Sequence, residues 1–235
     1  MSIADQLSLI RDRISAAAHR AGRNPNDIAL MAVCKTFPAE VIKEAYAAGQ
    51  RLFGENRVQE FAEKFPAVAN LPDICFHMIG HLQSNKAIKA AEIFHAVDSI
   101  DSVKLAQRLN DAVQKLGKKL DVLIEINVGG EEAKSGLDPD SPEIEAILGQ
   151  ASAWKALKIR GLMTVPPFTD DPEGARPYFR KLRELRDHLA ARHIPSVSFD
   201  VLSMGMSHDF EVAIEEGSTC VRIGNAIFGE RPKTI

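Results

Sequence analysis

Hydrophobic residues follow two alternating patterns along this chain. Some segments repeat an apolar residue every three or four positions, which is typical of an amphipathic helix, and others are short apolar runs bounded by glycine, proline or asparagine, which are typical of buried strands. The opening segment, residues 3–21, has the helical pattern with Ile3, Leu7, Ile10 and Ile14 on one face, and "AGRNP" ends it. The sequence therefore predicts an N-terminal helix followed by alternating strands and helices.

The rest of the chain predicts eight strands, each separated from the next by a helix. The predicted strands are residues 28–35, 51–55, 75–79, 93–97, 122–128, 159–165, 197–202 and 219–223. The predicted helices are residues 39–48, 58–65, 84–91, 102–116, 142–154, 173–192 and 208–216. Strict alternation requires parallel strands, and eight of them in 235 residues favour a single (β/α)8 TIM barrel with an extra N-terminal helix, formed by residues 1–235 as one domain. No GxGxxG follows the first strand, which weighs against a dinucleotide-binding sheet.

Composition narrows the class of protein. With 45% hydrophobic residues, 26% charged residues and a net charge of -3, the chain is an ordinary globular protein without a field that attracts nucleic acid. Charged residues interrupt the N-terminal apolar pattern, and no apolar run is long enough to span a bilayer. We expect a cytoplasmic monomer that has neither nucleic acid nor a membrane as a partner.

The three cysteines carry no predicted chemistry. Cys34, Cys75 and Cys220 lie far apart, and each lies inside an apolar run. Neither a disulfide framework nor a metal site is indicated, and we interpret them as small core residues.

Lys35 is the first candidate for chemistry, because the apolar run "IALMAVCKTFP" meets a lysine there. Strand ends carry the chemistry of this fold, and alternation places Lys35 on the face of Met31 and Val33, which we assign to the barrel interior. Burial would lower the pKa of the amine and keep it partly neutral, as a lysine that forms a Schiff base requires. Alternatively, Lys35 extends from the strand end into solvent.

Arg222 is the second candidate. Alternation along the last strand groups it with Cys220 and Gly224, so its permanent positive charge is predicted to point into the barrel mouth. A lysine at the end of the first strand, an arginine inside the last and a phosphate site beside them suggest a bound phosphorylated aldehyde.

The loops after strands seven and eight are predicted to bind the phosphate. They contain Ser203 and Ser207 in "LSMGMSHDF", and Gly224 and Asn225 in "RIGNAIFG". Glycine-bearing loops at this place in a barrel commonly bind phosphate through backbone N–H groups and hydroxyls. Each loop would serve equally well as a helix cap.

Two further strand ends carry polar side chains with open roles. Asn56 follows strand two and offers an amide, but "NR" before a helix would also act as an N-cap. His77 lies inside strand three and is as compatible with a hydrogen-bonded core histidine as with a site residue. The HxxxH spacing of His77 and His81 resembles a metal pair, but the strand position and the lack of an accompanying carboxylate argue against a metal.

The motifs resemble those of the pyridoxal phosphate homeostasis proteins, a family similar to the N-terminal barrel of alanine racemase. The matching stretches are "AVCKTFP", "FGENRVQE", "HMIGHLQSNK", "INVGGEEAKSG", "IRGLMTVPP" and "LSMGMSHDFEVAIEEGSTCVRIGNAIFG". The resemblance implies that Lys35 holds pyridoxal 5'-phosphate (PLP) as a Schiff base and that Arg222 faces the pyridine nitrogen. It also implies a phosphate site of Ser203, Ser207, Gly224 and Asn225, with Asn56, His77 and Met204 near the cofactor. Asn225 departs from the threonine that the family commonly has, which puts only that side-chain contact in doubt.

The chemistry of an arginine partner restrains the predicted function. Arginine does not give up its proton, so the pyridine nitrogen that it faces stays unprotonated and the ring is a weak electron sink. The resemblance also implies that a racemase needs a tyrosine base from a further domain, whereas this chain ends at Ile235 and has only Tyr46 and Tyr178, on predicted helices.

We therefore predict a PLP-binding homeostasis protein that buffers PLP or delivers it to apo-enzymes, with indirect effects on amino-acid and keto-acid pools and without robust catalytic activity. The alternatives are a weak PLP-dependent amino-acid racemase and a cofactor-free lysine Schiff-base aldolase.

Two segments have ordinary interpretations beside these. The loop of residues 129–136, "GGEEAKSG", is either a lid over the cofactor or a plain surface loop. The arginine-rich segment 173–192 predicts a solvated outer helix face rather than a nucleic-acid patch.

Overall fold

Eight parallel strands close into a barrel in the order β1 to β8, with β8 pairing back onto β1. The structure is a computed structural model that describes residues 1–131 and 134–229. The strands are β1 Ala29–Val33, β2 Leu52–Glu55, β3 Cys75–Met78, β4 Ala96–Ile100, β5 Leu120–Glu125, β6 Leu157–Met163, β7 Val197–Ser203 and β8 Cys220–Ile223. The predicted (β/α)8 barrel is confirmed.

Helices separate the strands and cover the outside of the barrel. They are α1 Ile3–Arg20, α2 Ala39–Ala47, α3 Val58–Lys64, α4 Ala87–Ile93, α5 Val103–Lys115, α6 Pro142–Gln150, α7 Arg176–Ala190, α8 Phe210–Glu215 and α9 Asn225–Phe228. The extra helix α1 begins with a capping box between Ser2 and Asp5 and buries its apolar face against α8 and α9. Among the described residues, no helix is both long and apolar enough to cross a membrane.

The core has two layers, and the layer that a residue joins follows from strand alternation. In β8, Val221 and Ile223 pack into the large apolar layer between the barrel and its helices, and Cys220 and Arg222 face the barrel interior. In β3, Phe76 belongs to the outer layer. The inward positions therefore include polar groups, and these define the site.

The strand predicted at residues 93–97 is placed wrongly. Helix α4 continues to Ile93, and β4 begins only at Ala96 and includes Asp98 and Ser99, all of its residues being buried. The apolar run "IFHAV" favours a strand that begins three residues too early. The second half of β4 is polar, because inward positions of this barrel hold polar groups that have partners, and a polar segment lacks the continuous apolar pattern of a buried parallel strand.

The cysteines are free, and their surroundings differ. Cys34 and Cys220 are buried and Cys75 is partly buried. The Cys34 thiol donates a hydrogen bond to Oε1 of Glu55 at 3.2 Å, so this cysteine is a polar partner as well as a small core residue.

Candidate functional site

Arg222 lies inside the barrel, on the face that alternation predicts. It is 3% exposed and is level with Met31 of β1 in the strand register. One guanidinium nitrogen donates to Oγ of Ser203 at 2.7 Å, and the other donates to the carbonyl oxygen of Thr164 at 2.6 Å. Two neutral acceptors, one in β7 and one just after β6, thus fix the plane of the guanidinium.

The charge of Arg222 is compensated only at a distance. Over residues 1–131 and 134–229, no carboxylate lies within 4.0 Å of its nitrogens. Burial lowers the pKa of Arg222, and the surrounding acidic groups Asp98, Glu125 and Asp209 oppose that effect. An arginine remains protonated under these conditions. The barrel interior therefore contains a permanent cation that can donate a hydrogen bond to a ligand atom.

Lys35 lies in a turn just beyond β1 rather than in the strand itself, which corrects the predicted strand end. The strand ends at Val33, and the N–H of Phe37 closes the turn by donating to the carbonyl of Cys34 at 3.2 Å. Thr36, the next residue, has a φ of 68°, in the left-handed region that a β-branched residue rarely adopts. Lys35 is half-buried at the mouth of the barrel.

His77 forms an ion pair with Asp98 of the neighbouring strand. Its Nδ1 lies 3.1 Å from a carboxylate oxygen of Asp98. Burial alone would lower the pKa of His77, but the Asp98 carboxylate outweighs it and raises the pKa to about 10. The histidine is therefore held protonated, and His81 contacts a different carboxylate, that of Asp101, at 3.1 Å. The prediction that no carboxylate accompanies the two histidines is wrong, because these partners come from β4 and the loop after it.

Asn56 follows β2 and does not cap the next helix. The N-cap of α3 is Arg57, and it makes no side-chain cap hydrogen bond. The Oδ1 atom of Asn56 is buried and has no hydrogen-bond donor among the described residues. Gly80, after β3, allows this packing, because a Cβ there would overlap the backbone of Asn56. Asn56 therefore offers an unsatisfied acceptor near the strand ends.

The structure divides the predicted phosphate residues into two groups. Ser207 accepts a hydrogen bond from the N–H of Gly224 at 3.4 Å, which joins the loops after β7 and β8. Asn225 is exposed and begins α9. Ser203 is instead fully buried, and its hydroxyl accepts from Arg222.

Met204, which the resemblance implies lies near the cofactor, has its side chain fully buried in the apolar layer outside the barrel, so its place near a cofactor stays a prediction. Its N–H donates to the carbonyl of Cys220 at 3.2 Å, and its own carbonyl accepts from the hydroxyl of Ser218 at 2.7 Å. The Met204 side chain packs outside the barrel, because the strand alternation that turns Ser203 inward turns the next residue outward.

Glu125 is a site residue that the sequence analysis missed. It ends β5 and is 4% exposed, and its Oε1 accepts a hydrogen bond from the Ser135 hydroxyl at 2.9 Å. Its Oε2 is buried without a donor among the described residues, and burial raises the pKa of this carboxyl. The sequence signal for Glu125 is its place in the strand pattern "VLIEI", two positions after Leu123 and therefore on the same face of the strand.

The predicted lid lies next to Glu125. Residues 132 and 133 of that loop are outside the described residues, and Ser135 holds the described end of the loop against the barrel mouth. Lys134 also donates to the carbonyl of Pro166 at 3.2 Å. The loop therefore joins the ends of β5 and β6, and its role as a lid stays a prediction.

The arrangement defines a class of protein: a (β/α)8 barrel with a lysine in the turn after its first strand and a buried arginine in its last. The family model described as "Alanine racemase, N-terminal domain" matches residues 6–232. A relative from Aquifex aeolicus, "Pyridoxal phosphate homeostasis protein", is 46% identical over 231 residues, which is 98% of this chain and 99% of the relative. A relative of the same name from Escherichia coli is 43% identical over 97% of both chains. The chain belongs to the pyridoxal phosphate homeostasis protein family.

Solved structures agree with that assignment. PipY of Synechococcus elongatus without PLP has a TM-score of 0.85 at 38% identity, over 97% of this chain and 100% of that one. The same protein with PLP bound has a TM-score of 0.83 at 37% identity and the same coverage. Alanine racemase from Clostridium difficile has a TM-score of 0.73 at 17% identity over 97% of this chain and 58% of that one, a likeness of fold alone.

Proposed function

We propose that this chain is a single-domain PLP-binding protein of PLP homeostasis. Lys35 joins the cofactor as a Schiff base, and Arg222 faces its pyridine nitrogen. The observation that carries this proposal is the buried guanidinium of Arg222, fixed by Ser203 and Thr164, on the strand that pairs with β1. The names of the relatives and the PLP bound to PipY support it.

The residues present fit such a group. Asn56 and Glu125 each contribute a buried oxygen that has no donor among the described residues, and a polar ligand would supply one. At Gly224 a Cβ would lie 3.3 Å from the carbonyl of Val33, so the end of β8 lies close against β1 and a side chain there would crowd it. Ser207 and the backbone around Gly224 would bind the phosphate.

Bound PLP supplies an aldehyde that condenses with an amine. The bond formed is C=N between the aldehyde carbon and Nζ of Lys35, and the carbonyl oxygen leaves as water. Arg222 would donate a hydrogen bond to the ring nitrogen without transferring its proton, so the ring stays a weak electron sink and carbanion chemistry is muted. These properties suit a protein that stores and releases the aldehyde, in the cytoplasm, for apo-enzymes to take up, and they disfavour robust catalysis.

The racemase alternative needs a second base facing the site. The two tyrosines lie on outer helices: Tyr46 in α2 donates its hydroxyl to the carbonyl of Pro72, and Tyr178 lies in α7. Neither position favours a catalytic tyrosine, which supports storage over racemisation.

The visible absorption spectrum tests the proposal. The purified protein with added PLP is expected to show a yellow band that borohydride bleaches, and Lys35→Ala is expected to lack it because the substitution removes the amine that would join the aldehyde. Lys89→Ala is the control, since this lysine is exposed on α4 and pairs with Glu92 at 3.0 Å. A wild-type protein without the band would refute the proposal and make the aldolase the alternative to test.

A further inference from the structure

The turn that carries Lys35 has a conformation that its own sequence does not favour. Thr36 is β-branched and adopts a φ of 68°, which places its side chain against the backbone. Residues in such conformations persist when the surrounding structure fixes them. The contacts of this turn therefore show what fixes it.

Two side chains of α3 bind the backbone on both sides of Lys35. Oε1 of Glu60 accepts the N–H of Thr36 at 2.6 Å. The ammonium of Lys64 donates to the carbonyl of Phe37 at 3.1 Å and approaches the carbonyl of Cys34 at 3.4 Å. Lys64 and Glu60 also contact each other at 3.1 Å. The backbone before and after Lys35 is thus fixed by one ion pair from a neighbouring helix.

Glu55, the last residue of β2, holds Lys64 in place. Its carboxylate is fully buried and lies 2.6 Å from the ammonium of Lys64, whose side chain is 11% exposed. The same oxygen accepts the thiol of Cys34. The cluster of Glu55, Glu60 and Lys64 therefore connects the end of β1, the end of β2 and α3.

Electrostatics keep Lys64 charged. Burial alone would lower its pKa, but the carboxylates of Glu55 and Glu60 outweigh it and raise the pKa of Lys64. A buried ion pair contributes little net stability when its desolvation is counted. Here the ammonium uses its remaining hydrogen-bonding capacity on the two carbonyls of the lysine-bearing turn, which a purely stabilising pair does not require.

We propose that Glu55, Glu60 and Lys64 are positioning residues for Lys35, which hold its turn in the conformation that presents the amine to an aldehyde at the barrel mouth. This inference rests on the proposed function, because it assigns the cluster to the same Schiff-base lysine. None of the three residues touches the cofactor in this scheme, and each acts through the backbone of residues 34–37.

The test compares two substitutions of Glu60. Glu60→Ala removes the acceptor of the Thr36 N–H, and Glu60→Gln keeps a side-chain oxygen there. With added PLP, the yellow band is expected to form about tenfold more slowly in Glu60→Ala, because misplaced reacting groups lose rate, and Glu60→Gln is expected to recover most of that loss. Glu63→Ala is the control, since Glu63 is exposed on the same helix. Equal rates in wild type and Glu60→Ala, or equal slowing in the alanine and glutamine variants, would overturn the proposal.

Amide hydrogen exchange of the chain without PLP gives an independent readout. The Thr36 amide is expected to be protected in wild type and to exchange at least about tenfold faster in Glu60→Ala, because its acceptor is lost. An unprotected Thr36 amide in wild type would overturn the positioning role without any variant. If wild type forms no band with PLP while Thr36 is protected in a Glu60-dependent way, the proposed function fails and the link between Glu60 and the turn stands.

Discussion

Charged residues inside the barrel differ in how their charge is compensated. His77 has a carboxylate in contact, whereas Arg222 has a hydroxyl and a carbonyl oxygen and receives charge compensation only from more distant groups. Glu125 accepts from one hydroxyl, and its other oxygen has no donor among the described residues. A ligand that enters the mouth therefore meets a cation fixed by neutral groups, while the histidine charge is already paired.

The His77 pair predicts a pH-dependent stability. The pKa of His77 is raised in the folded chain to about 10 from the ordinary 6.5, so its contribution to stability is complete below pH 6.5 and is lost as the pH rises through about 10. Between these values, the free energy of unfolding is expected to fall by up to about 1.4 kcal/mol per pH unit more in wild type than in His77→Gln.

Denaturant titrations at several pH values measure that difference. The groups around the imidazole are Asp98, Cys75 and His95, and all three are unchanged in His77→Gln. Parallel curves for the two proteins would contradict the prediction. An NMR titration of the His77 ring reports the same pKa directly.

At the scale of elements, the alternation of periodic and apolar segments predicted the barrel, because each βα unit has its own local signature. The strand faces of Arg222 and Met31 follow from alternation and are confirmed by the register. Partners that come from a different strand were not predictable, as with Asp98 for His77. The polar residues of β4, Asp98 among them, also explain why this strand was predicted at the wrong position. The turn conformation at Thr36 was not predictable either, because it depends on a helix that lies more than twenty residues away in the sequence.

Gly161 in β6 is an element-scale constraint that a substitution tests. Its φ is 155°, and a Cβ there would overlap the carbonyl of Val201 in β7 at an irregularity in the strand register. Gly161→Ala is expected to lower the free energy of unfolding by about 2 kcal/mol or more, because the two strands must separate locally.

The matched control for that substitution is Gly149→Ala in α6, where nothing lies within 4 Å of the added carbon. Alanine favours the helix, so an increase of about 0.5–1 kcal/mol is expected. Chemical denaturation of both variants makes the comparison. A Gly161→Ala protein as stable as wild type would show that β6 and β7 tolerate separation at this position.

At the scale of the whole molecule, ion pairs on the outside join elements that are distant in sequence. The arginines of α7 confirm a charged outer face, and three of them reach the carboxylate of Glu216 after α8. Arg20 of α1 pairs with Glu215 at 3.0 Å. The residues that we propose as the PLP site lie instead at the mouth of the barrel, near the turns after β1, β7 and β8.

That distribution predicts storage of PLP without racemisation. The described mouth contains Lys35 as its amine, and both tyrosines lie on outer helices, so a proton removed from one face of an amino acid has no tyrosine to replace it on the other. The PLP-loaded protein in heavy water is expected to leave the α-hydrogen of L-alanine unexchanged, as observed by proton NMR against Lys35→Ala. When an apo-enzyme is added instead, the yellow band is expected to fall as that enzyme gains activity. Deuterium incorporation by wild type and not by Lys35→Ala would establish an amino-acid enzyme, because the two proteins differ only at the lysine that we propose forms the Schiff base.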